Sequence, residues 1–309
     1  MKKRVSSDNP LHGDTRTRAA AGKPEHVGEL KVADLAPGLY VTATPIGNAR
    51  DITLRALDVL GAADLIVAED TRVTAKLLAI HGISKPLAAY NDHNAARERP
   101  RLLHRLRQGA RLALVSDAGT PLVSDPGFKL VRAAIEEGIA VHAVPGASAA
   151  LTGLVLSGLP SDRFLFAGFL PPKAGERQTA LEELKPLRAT LIFFESAPRL
   201  AESLKQMAGV LGMRSAAVAR EMTKLHEEVR RGTLEELARA YAGEPAPRGE
   251  VTLLVSPPHA VEADFAAMDK ALDAALAFMP LKPASELIAS LTGIPRKTVY
   301  ARGLEKKNG

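Results

Sequence analysis

Six short stretches of the sequence carry residues able to do chemistry. Glu69-Asp70-Thr71-Arg72 and Asn91-Asp92-His93-Asn94 put carboxylates, an imidazole, amides and a guanidinium into two runs that core packing does not require. Between Val115 and Gly127, Ser116-Asp117-Ala118-Gly119-Thr120-Pro121 stands back to back with Ser124-Asp125-Pro126-Gly127. Gly119 and Gly127 let backbone approach a ligand closely. Asp117 and Asp125 can receive hydroxyl or amino groups and suit a positively charged ligand. Pro145-Gly146-Ala147-Ser148 opens a run of small residues, and free amides at a helix start can hold a carboxylate or phosphate. Thr44-Pro45-Ile46-Gly47-Asn48 and Arg220-Glu221-Met222-Thr223-Lys224 each follow a strand pattern. Taken singly, each stretch is also compatible with a structural loop, and Lys224 with a surface ion pair to Glu221. No glycine loop here is a GxGxxG fingerprint or a P-loop, so hydride transfer and nucleotide hydrolysis lose support. His81, His104, His142 and His226 lack metal-ligand spacing, and no metal is expected.

The elements that must position these groups alternate. Leu39–Ala43, Leu65–Ala68, Arg111–Val115 and Ala140–Val144 read as strands. Helical patterns run over Asp51–Leu60 and Phe128–Glu137, the second stopped by Gly138. Such alternation predicts an α/β fold on a mainly parallel sheet, with ligands at the carboxyl ends of the strands. Further strand patterns follow at Phe164–Phe169, Thr190–Phe194, Ala216–Ala219 and Glu250–Val255, closed by Pro257-Pro258. The predicted organisation is a mobile polar tail at 1–36, an α/β domain at 37–158, a second α/β domain at 159–258 and two or three short helices at 259–309. Gly293 between two of those helices suggests a helix-turn-helix that touches RNA; a packing or dimerisation appendage fits the same pattern.

The chain has 309 residues, 46% hydrophobic and 25% charged, which is ordinary for a folded protein of two domains. It has no cysteine, so disulfides and thiolate chemistry are excluded. No apolar run reaches the length of a membrane span. Met1-Lys2-Lys3-Arg4 is followed by polar residues rather than an apolar segment, so export is not expected. The formal charge of +6 lies at the ends: seven Lys/Arg stand against four Asp/Glu in residues 1–31, and five against one in 296–309. Residues 32–295 are thus close to neutral. Basic ends suit a polyanionic partner, and they suit solubility equally well.

Taken together and in order, Ala43-Thr-Pro-Ile-Gly-Asn48, Ala68-Glu-Asp-Thr-Arg72, Asn91-Asp-His-Asn94, Ser116-Asp-Ala-Gly-Thr-Pro121 with Ser124-Asp-Pro-Gly127, Pro145-Gly-Ala-Ser148, Phe194-Glu-Ser-Ala197 and Arg220-Glu-Met-Thr-Lys224 resemble the tetrapyrrole-methylase superfamily, in its branch that modifies ribosomal RNA. The likeness covers roughly 38–258 and extends in kind to the C-terminal helices. It implies a two-domain class III methyltransferase fold with S-adenosyl-L-methionine in the interdomain cleft. Carried over position by position, cofactor contacts fall on Pro45, Ser116, Asp117, Ala118, Gly119, Ala147 and Ser148, with Glu195, Ser196 and the segment 249–252 as further candidates. The implied reaction is 2′-O-methylation of a cytidine in the decoding region of 16S ribosomal RNA, on the small ribosomal subunit, by a cytoplasmic homodimer. The polar N-terminal extension departs from the family pattern.

That reaction needs an in-line methyl transfer and removal of the hydroxyl proton. Glu69, Asp70 and His93 are the candidate bases, and Arg72 and Lys224 the candidates to hold phosphate or stabilise alkoxide. Asn91, Asn94, Arg72, Arg296 and Lys297 are the candidate RNA contacts, with Arg302, Lys306 and Lys307 adding charge at the C-terminus. Only 4% of residues are aromatic, so recognition by shape and phosphate is expected over base stacking. A precorrin methyltransferase is one rival, but it leaves Asn91–Asn94 and the basic C-terminus unexplained. A non-catalytic nucleic-acid binder is another, though it has no need of dense polar clusters at strand ends.

Overall fold

The structure, a computed structural model, describes residues 35–258 and 265–308. Apart from Leu35 and Ala36, the expected tail at 1–36 lies outside the described residues.

The first half is a sheet of five parallel strands, β1 (Gly38–Thr42), β2 (Leu65–Ala68), β3 (Leu87–Ala89), β4 (Arg111–Val115) and β5 (Val141–Val144). Their spatial order is β3-β2-β4-β1-β5. Four helices connect them: α1 (Leu54–Ala62), α2 (Thr71–Ile80), α3 (Ala95–Arg107) and α4 (Phe128–Glu136). The strands are short apolar runs because both faces are covered; all four residues of β2 are buried. Val59 and Leu60 of α1 pack with Tyr40 and Ile66 on one face. Leu102 and Leu106 of α3 and Leu130 of α4 pack with Leu39 and Leu112 on the other. The chain leaves β1 toward β2 but leaves β4 toward β5, so the loops after these adjacent strands lead to helices on opposite faces of the sheet and open a crevice.

A single helix, α5 (Ala149–Ser157), leads into the second half. There β6 (Phe164–Phe169), β7 (Thr190–Ser196), β8 (Ser215–Arg220), β9 (Glu228–Thr233) and β10 (Glu250–Val255) form a sheet in the order β6-β7-β10-β8-β9. Only the β6–β7 pair is parallel. Helices α6 (Ala174–Leu184), α7 (Leu200–Leu211) and α8 (Leu234–Ala242) cover one face around Phe193, Leu204 and Met207. The opposite face receives α5, whose Ala150 and Leu154 meet Ile192, Ala217 and Leu254, together with Ile46 from the turn after β1. One apolar cluster therefore joins α5 and the turn after β1 to the second sheet. Gly153 makes this close packing possible, since a Cβ there would lie 3.1 Å from the Thr252 methyl.

The C-terminal part is three helices, α9 (Phe265–Leu276), α10 (Leu281–Thr292) and α11 (Arg296–Asn308), around their own core of Met268, Leu272, Ala284, Ile288 and Val299. Gly293 takes the left-handed conformation that ends α10.

The expected helix over Asp51–Leu60 begins at Leu54, because Thr53 caps it by accepting from the Ala56 amide at 3.0 Å; Ala49–Asp51 form a separate 3-10 turn. Two strands carried no legible pattern. β3 has three residues. β9, Glu-Val-Arg-Arg-Gly-Thr, is a charged edge strand held by its ladder to β8 and by the Arg220–Glu228 pair across it.

Gly127, before α4, has φ +133°, and a Cβ there would come within 2.7 Å of Leu122 Cδ2 and 2.9 Å of the buried Leu114 Cδ2. Gly127→Ala is expected to destabilise the protein by about 2–4 kcal/mol, combining backbone strain with overpacking. Gly138→Ala, at φ +72° with nothing within 4 Å, should show only the strain of about 1–2 kcal/mol. Denaturant melts of both variants measure the difference; equal losses would remove the packing argument.

Candidate active site

The crevice at the switch point is framed by main chain. Beyond the end of β1, Thr44 donates its amide to the Gly119 carbonyl at 2.8 Å and accepts the Gly119 amide at 3.1 Å. Its hydroxyl donates to the Ser116 carbonyl at 3.1 Å. Gly119 is left-handed, with Ile46 Cγ2 3.2 Å from where a Cβ would stand. The next turn docks on the second half, where the Asn48 amide donates to Thr223 Oγ1 at 3.0 Å. A Cβ on Gly47 would meet Lys224 Cγ at 2.5 Å.

These contacts enclose a cleft of about 690 Å³ between the halves, within the range of small-molecule sites. The first half supplies Asp117, Ala118, Gly119, Thr120, Asp125 and Ser148; the second supplies Phe169, Phe194, Glu195, Ser196 and residues 248–252. Gly249 has φ +95°, and any side chain there would collide with the Glu221 carboxylate, so the wall is bare backbone at this position. Asp125 is half-buried; burial, reinforced by the charge of Glu69, pushes its carboxyl up to about 6, with the Ser116 hydroxyl partly offsetting the rise.

A second, polar basin adjoins the cleft and shares one residue with it, Asp117. Glu69, Asp70, Thr71, Arg72, Ala89, Asn91, Asp92 and His93 line the rest. Asp117 Oδ1 accepts the Asp70 amide at 3.0 Å, which fixes the loop after β4 to the end of β2. Burial, then the charges of Asp117, Asp92 and Asp70, raise the Glu69 carboxyl above its ordinary value. Asp70 is the opposite case. It caps α2 through the Arg72 amide at 2.8 Å and holds the Arg72 guanidinium at 2.6 Å. Those hydrogen bonds keep its carboxyl at about 2. The buried Asn91 Oδ1 has no hydrogen-bond partner among the described residues.

Thus Glu69, Asp70, Arg72, Asn91 and His93 come together with Asp117, as do the cleft residues Ala118, Gly119, Ser148, Glu195 and Ser196. Other expected residues stand back. Pro45 and Ser116 are buried beneath the loops, and the Ala147 carbonyl accepts from Thr120 Oγ1 at 3.0 Å. Asn94 braces the turn before α3, accepting the Asn91 amide and donating to the Ala89 carbonyl, each at 2.9 Å. Lys224 lies outside the basin, bridging Glu221 and Glu250 at 2.8 Å each. The Glu195 carboxylate is committed to the Ser196 amide, the Ser203 hydroxyl and Arg199. Arg296 pairs with Glu286 at 3.0 Å, while Lys297 is exposed and, with Lys282 and Tyr300, rims a shallow pocket on the C-terminal helices. Phe169, Phe194 and Met222 give the cleft its apolar wall; Phe194 and Met222 stand inside motifs that carry the resemblance, whereas Phe169 has no sequence signal that separates it from core.

Comparison with known proteins gives these features a family. Residues 38–238 match the tetrapyrrole (corrin/porphyrin) methylases, and residues 262–307 match the RsmI C-terminal HTH domain. A ribosomal RNA small subunit methyltransferase I from Mesorhizobium japonicum is 51% identical over 281 residues, covering 91% of this chain and 96% of its own. The protein of that name from Escherichia coli O157:H7 is 46% identical, over 87% and 95% of the two chains. Among solved structures, a uroporphyrin-III-C-methyltransferase from Thermus thermophilus (TM-score 0.53, 24% identity, covering 71% of this chain and 94% of that one) and a diphthine synthase (0.55, 16%, 71% and 89%) share the fold. Methylases of this family take their methyl group from S-adenosylmethionine, and the cleft suits it: bare backbone at 249, an apolar wall, and carboxylates at Asp117 and Asp125 that form no ion pair among the described residues. This chain belongs to the ribosomal RNA small subunit methyltransferase I family of the tetrapyrrole methylases, with S-adenosylmethionine as its cofactor.

Proposed function

We propose that the protein methylates the 2′-hydroxyl of a cytidine in the decoding region of 16S ribosomal RNA, on the small ribosomal subunit in the cytoplasm. Family membership carries the coarser statement, S-adenosylmethionine-dependent methylation of ribosomal RNA. The observation that supports the finer one is the polar basin joined to the cleft through Asp117. It offers carboxylates and an imidazole to a hydroxyl, and an arginine to a neighbouring phosphate. A porphyrinoid carries neither a ribose hydroxyl nor a phosphate.

When bound, S-adenosylmethionine would supply an electrophilic methyl group whose leaving group is a neutral thioether. The chain's own part is to align the ribose and take its proton. Glu69 is the base in this reading, since it lies in the basin and its carboxyl, raised by burial and by the charges of Asp117, Asp92 and Asp70, accepts a proton more readily than an ordinary carboxylate. Asp70, locked to Arg72, positions that guanidinium for phosphate and is a poor acceptor. Lys224 supports the turn at Gly47 from outside the basin. The homodimer belongs to the same reading; Leu151 and Val155, exposed one turn apart on α5, support it as apolar surface.

Label transfer from radioactive S-adenosylmethionine to small subunits isolated from cells lacking the gene, with nucleoside mapping, tests the whole reading. Recovery of 2′-O-methylcytidine is expected; label on a base, or none, would overturn it. On the same substrate, Glu69→Gln should lower kcat by about 10²–10⁴-fold with cofactor affinity unchanged by calorimetry. Near-normal turnover by Glu69→Gln, with a large loss in His93→Ala, would move the base to His93.

Cofactor binding should also report Asp125. Its carboxylate, facing Glu69 and Asp117, loses its charge as pH falls through about 6. Affinity for cationic S-adenosylmethionine is then expected to drop between pH 7 and pH 5, more than affinity for uncharged-sulfur S-adenosylhomocysteine. Asp125→Asn should flatten that difference. An identical pH profile in wild type and variant would show that Asp125 does not face the sulfonium.

A further inference from the structure

Residues 32–295 are close to neutral in sum, yet one element among them is strongly charged. Helix α3 carries Arg97, Arg99, Arg101, Arg105 and Arg107 against the single acid Glu98. Its inner face is apolar and settled, with Leu102, Leu103 and Leu106 buried against the first sheet. Its outer face repeats arginine at every fourth residue: Arg97, Arg101 and Arg105, with His104 beside them, are all exposed. The helix rise puts successive members about 6 Å apart along its axis.

This arrangement works against the helix that bears it. Like charges at four-residue spacing repel, and Arg97 lies in the first turn, where the helix dipole disfavours a cation. Glu98 is shared between Arg97 at 2.8 Å and Arg101 at 3.2 Å. Arg105 forms no ion pair among the described residues. Arg107, by contrast, is tied to Glu137 by two hydrogen bonds, at 2.7 and 2.8 Å, and belongs to the scaffold. An external polyanion would relieve the repulsion that the chain leaves unrelieved.

Position supplies the second argument. α3 begins one residue after Asn94, and Asn91, Asp92 and His93 form one wall of the polar basin. The row of guanidinium groups therefore starts at the rim of the basin and runs away from it. The basin itself is acidic, with Glu69, Asp70, Asp92 and Asp117 set against Arg72, so a strand entering it meets repulsion unless its flanking phosphates are held outside.

The geometry points to α3 as a phosphate track: Arg97, Arg101 and Arg105 hold the sugar-phosphate backbone of the RNA strand that flanks the nucleotide lying in the basin. The inference rests on the ribosomal RNA reading above and deepens it by naming the surface. Guanidinium groups hold phosphate without reading sequence. The track thus contributes affinity and strand direction, and leaves choice of nucleotide to the basin.

The test is equilibrium binding of the full-length protein, loaded with S-adenosylhomocysteine, to unmethylated small ribosomal subunits over a series of salt concentrations. The variant Arg97→Gln/Arg101→Gln/Arg105→Gln is compared with wild type and with the corresponding triple lysine variant. Every single-strand phosphate that no longer meets a cation lowers the slope of log affinity against log salt by about 0.7, so the glutamine variant should have a slope shallower by about 2. Its affinity should fall most at low salt, while the lysine variant keeps the slope. Calorimetric binding of S-adenosylhomocysteine to the free variant must match wild type, which excludes misfolding. Wild-type slope and affinity in the glutamine variant would overturn the track and leave the RNA reading intact. A wild-type protein that binds the cofactor product but not the subunits would overturn both.

Discussion

Two main-chain hydrogen bonds between Thr44 and Gly119 are the constraint on which the site depends. They continue the neighbourhood of β1 and β4 past the ends of the parallel strands, where the connections would otherwise diverge. They hold the loop after β4 against the turn after β1. Asp117 reaches back to the Asp70 amide, and Gly119 presents backbone to the cleft. The turn after β1, held on its other side, passes Gly47 against the Thr223–Lys224 turn of the second half. One short bridge thus sets the depth of the cleft, its link to the polar basin and the seating of one half on the other. Two glycines are needed, Gly47 because a Cβ there would lie 2.5 Å from Lys224 Cγ, and Gly119 because its φ of +81° is one that L side chains rarely adopt.

Charges around the site fall into two groups with different work. Asp70 with Arg72, Lys224 with Glu221 and Glu250, and Glu195 with Arg199 and Ser203 are satisfied inside the chain, and they fix turns and walls. Glu69, Asp117 and Asp125 form no ion pair among the described residues. Burial and mutual repulsion raise Glu69 and Asp125. A concentration of unpaired carboxylate in a half-buried space favours a cation and a proton, the two things that a sulfonium donor and a hydroxyl nucleophile bring. The same concentration repels nucleic acid. Attraction for a polyanion has to come from surfaces outside the basin, and the arginine face of α3 is the one that begins at its edge.

Much of the fold was legible because its signals are local. Short apolar runs such as Leu65–Ala68, ended by polar or glycine-bearing turns, specify buried parallel strands without reference to anything distant. The ordered set of motifs was legible for a related reason: glycine, aspartate and proline in the loops are dictated by close backbone approach and by ligand chemistry, not by packing that many residues satisfy equally. β9 was not legible, since a charged edge strand draws its stability from its partner rather than from its own pattern. The charge of α3 was hidden for a different reason. Summed over residues 32–295, its arginines cancel against acids elsewhere in the chain, and only the folded helix shows that they share a face.

The sequence by itself determined the fold class, the strand-end location of the site and the chemical types present, because each follows from neighbouring residues. Tertiary structure alone decided which of those residues act together. Asp117 joins two pockets, Asp70 is held in an ion pair, and Asn94 serves a turn, although the sequence did not separate these roles; the Lys224–Glu221 pair was one of two readings that the sequence left open for Lys224. Hydrogen bonds and ion pairs form between groups brought close by packing; residues 47 positions apart in the chain, as Asp70 and Asp117 are, acquire their roles only when the sheet sets them side by side.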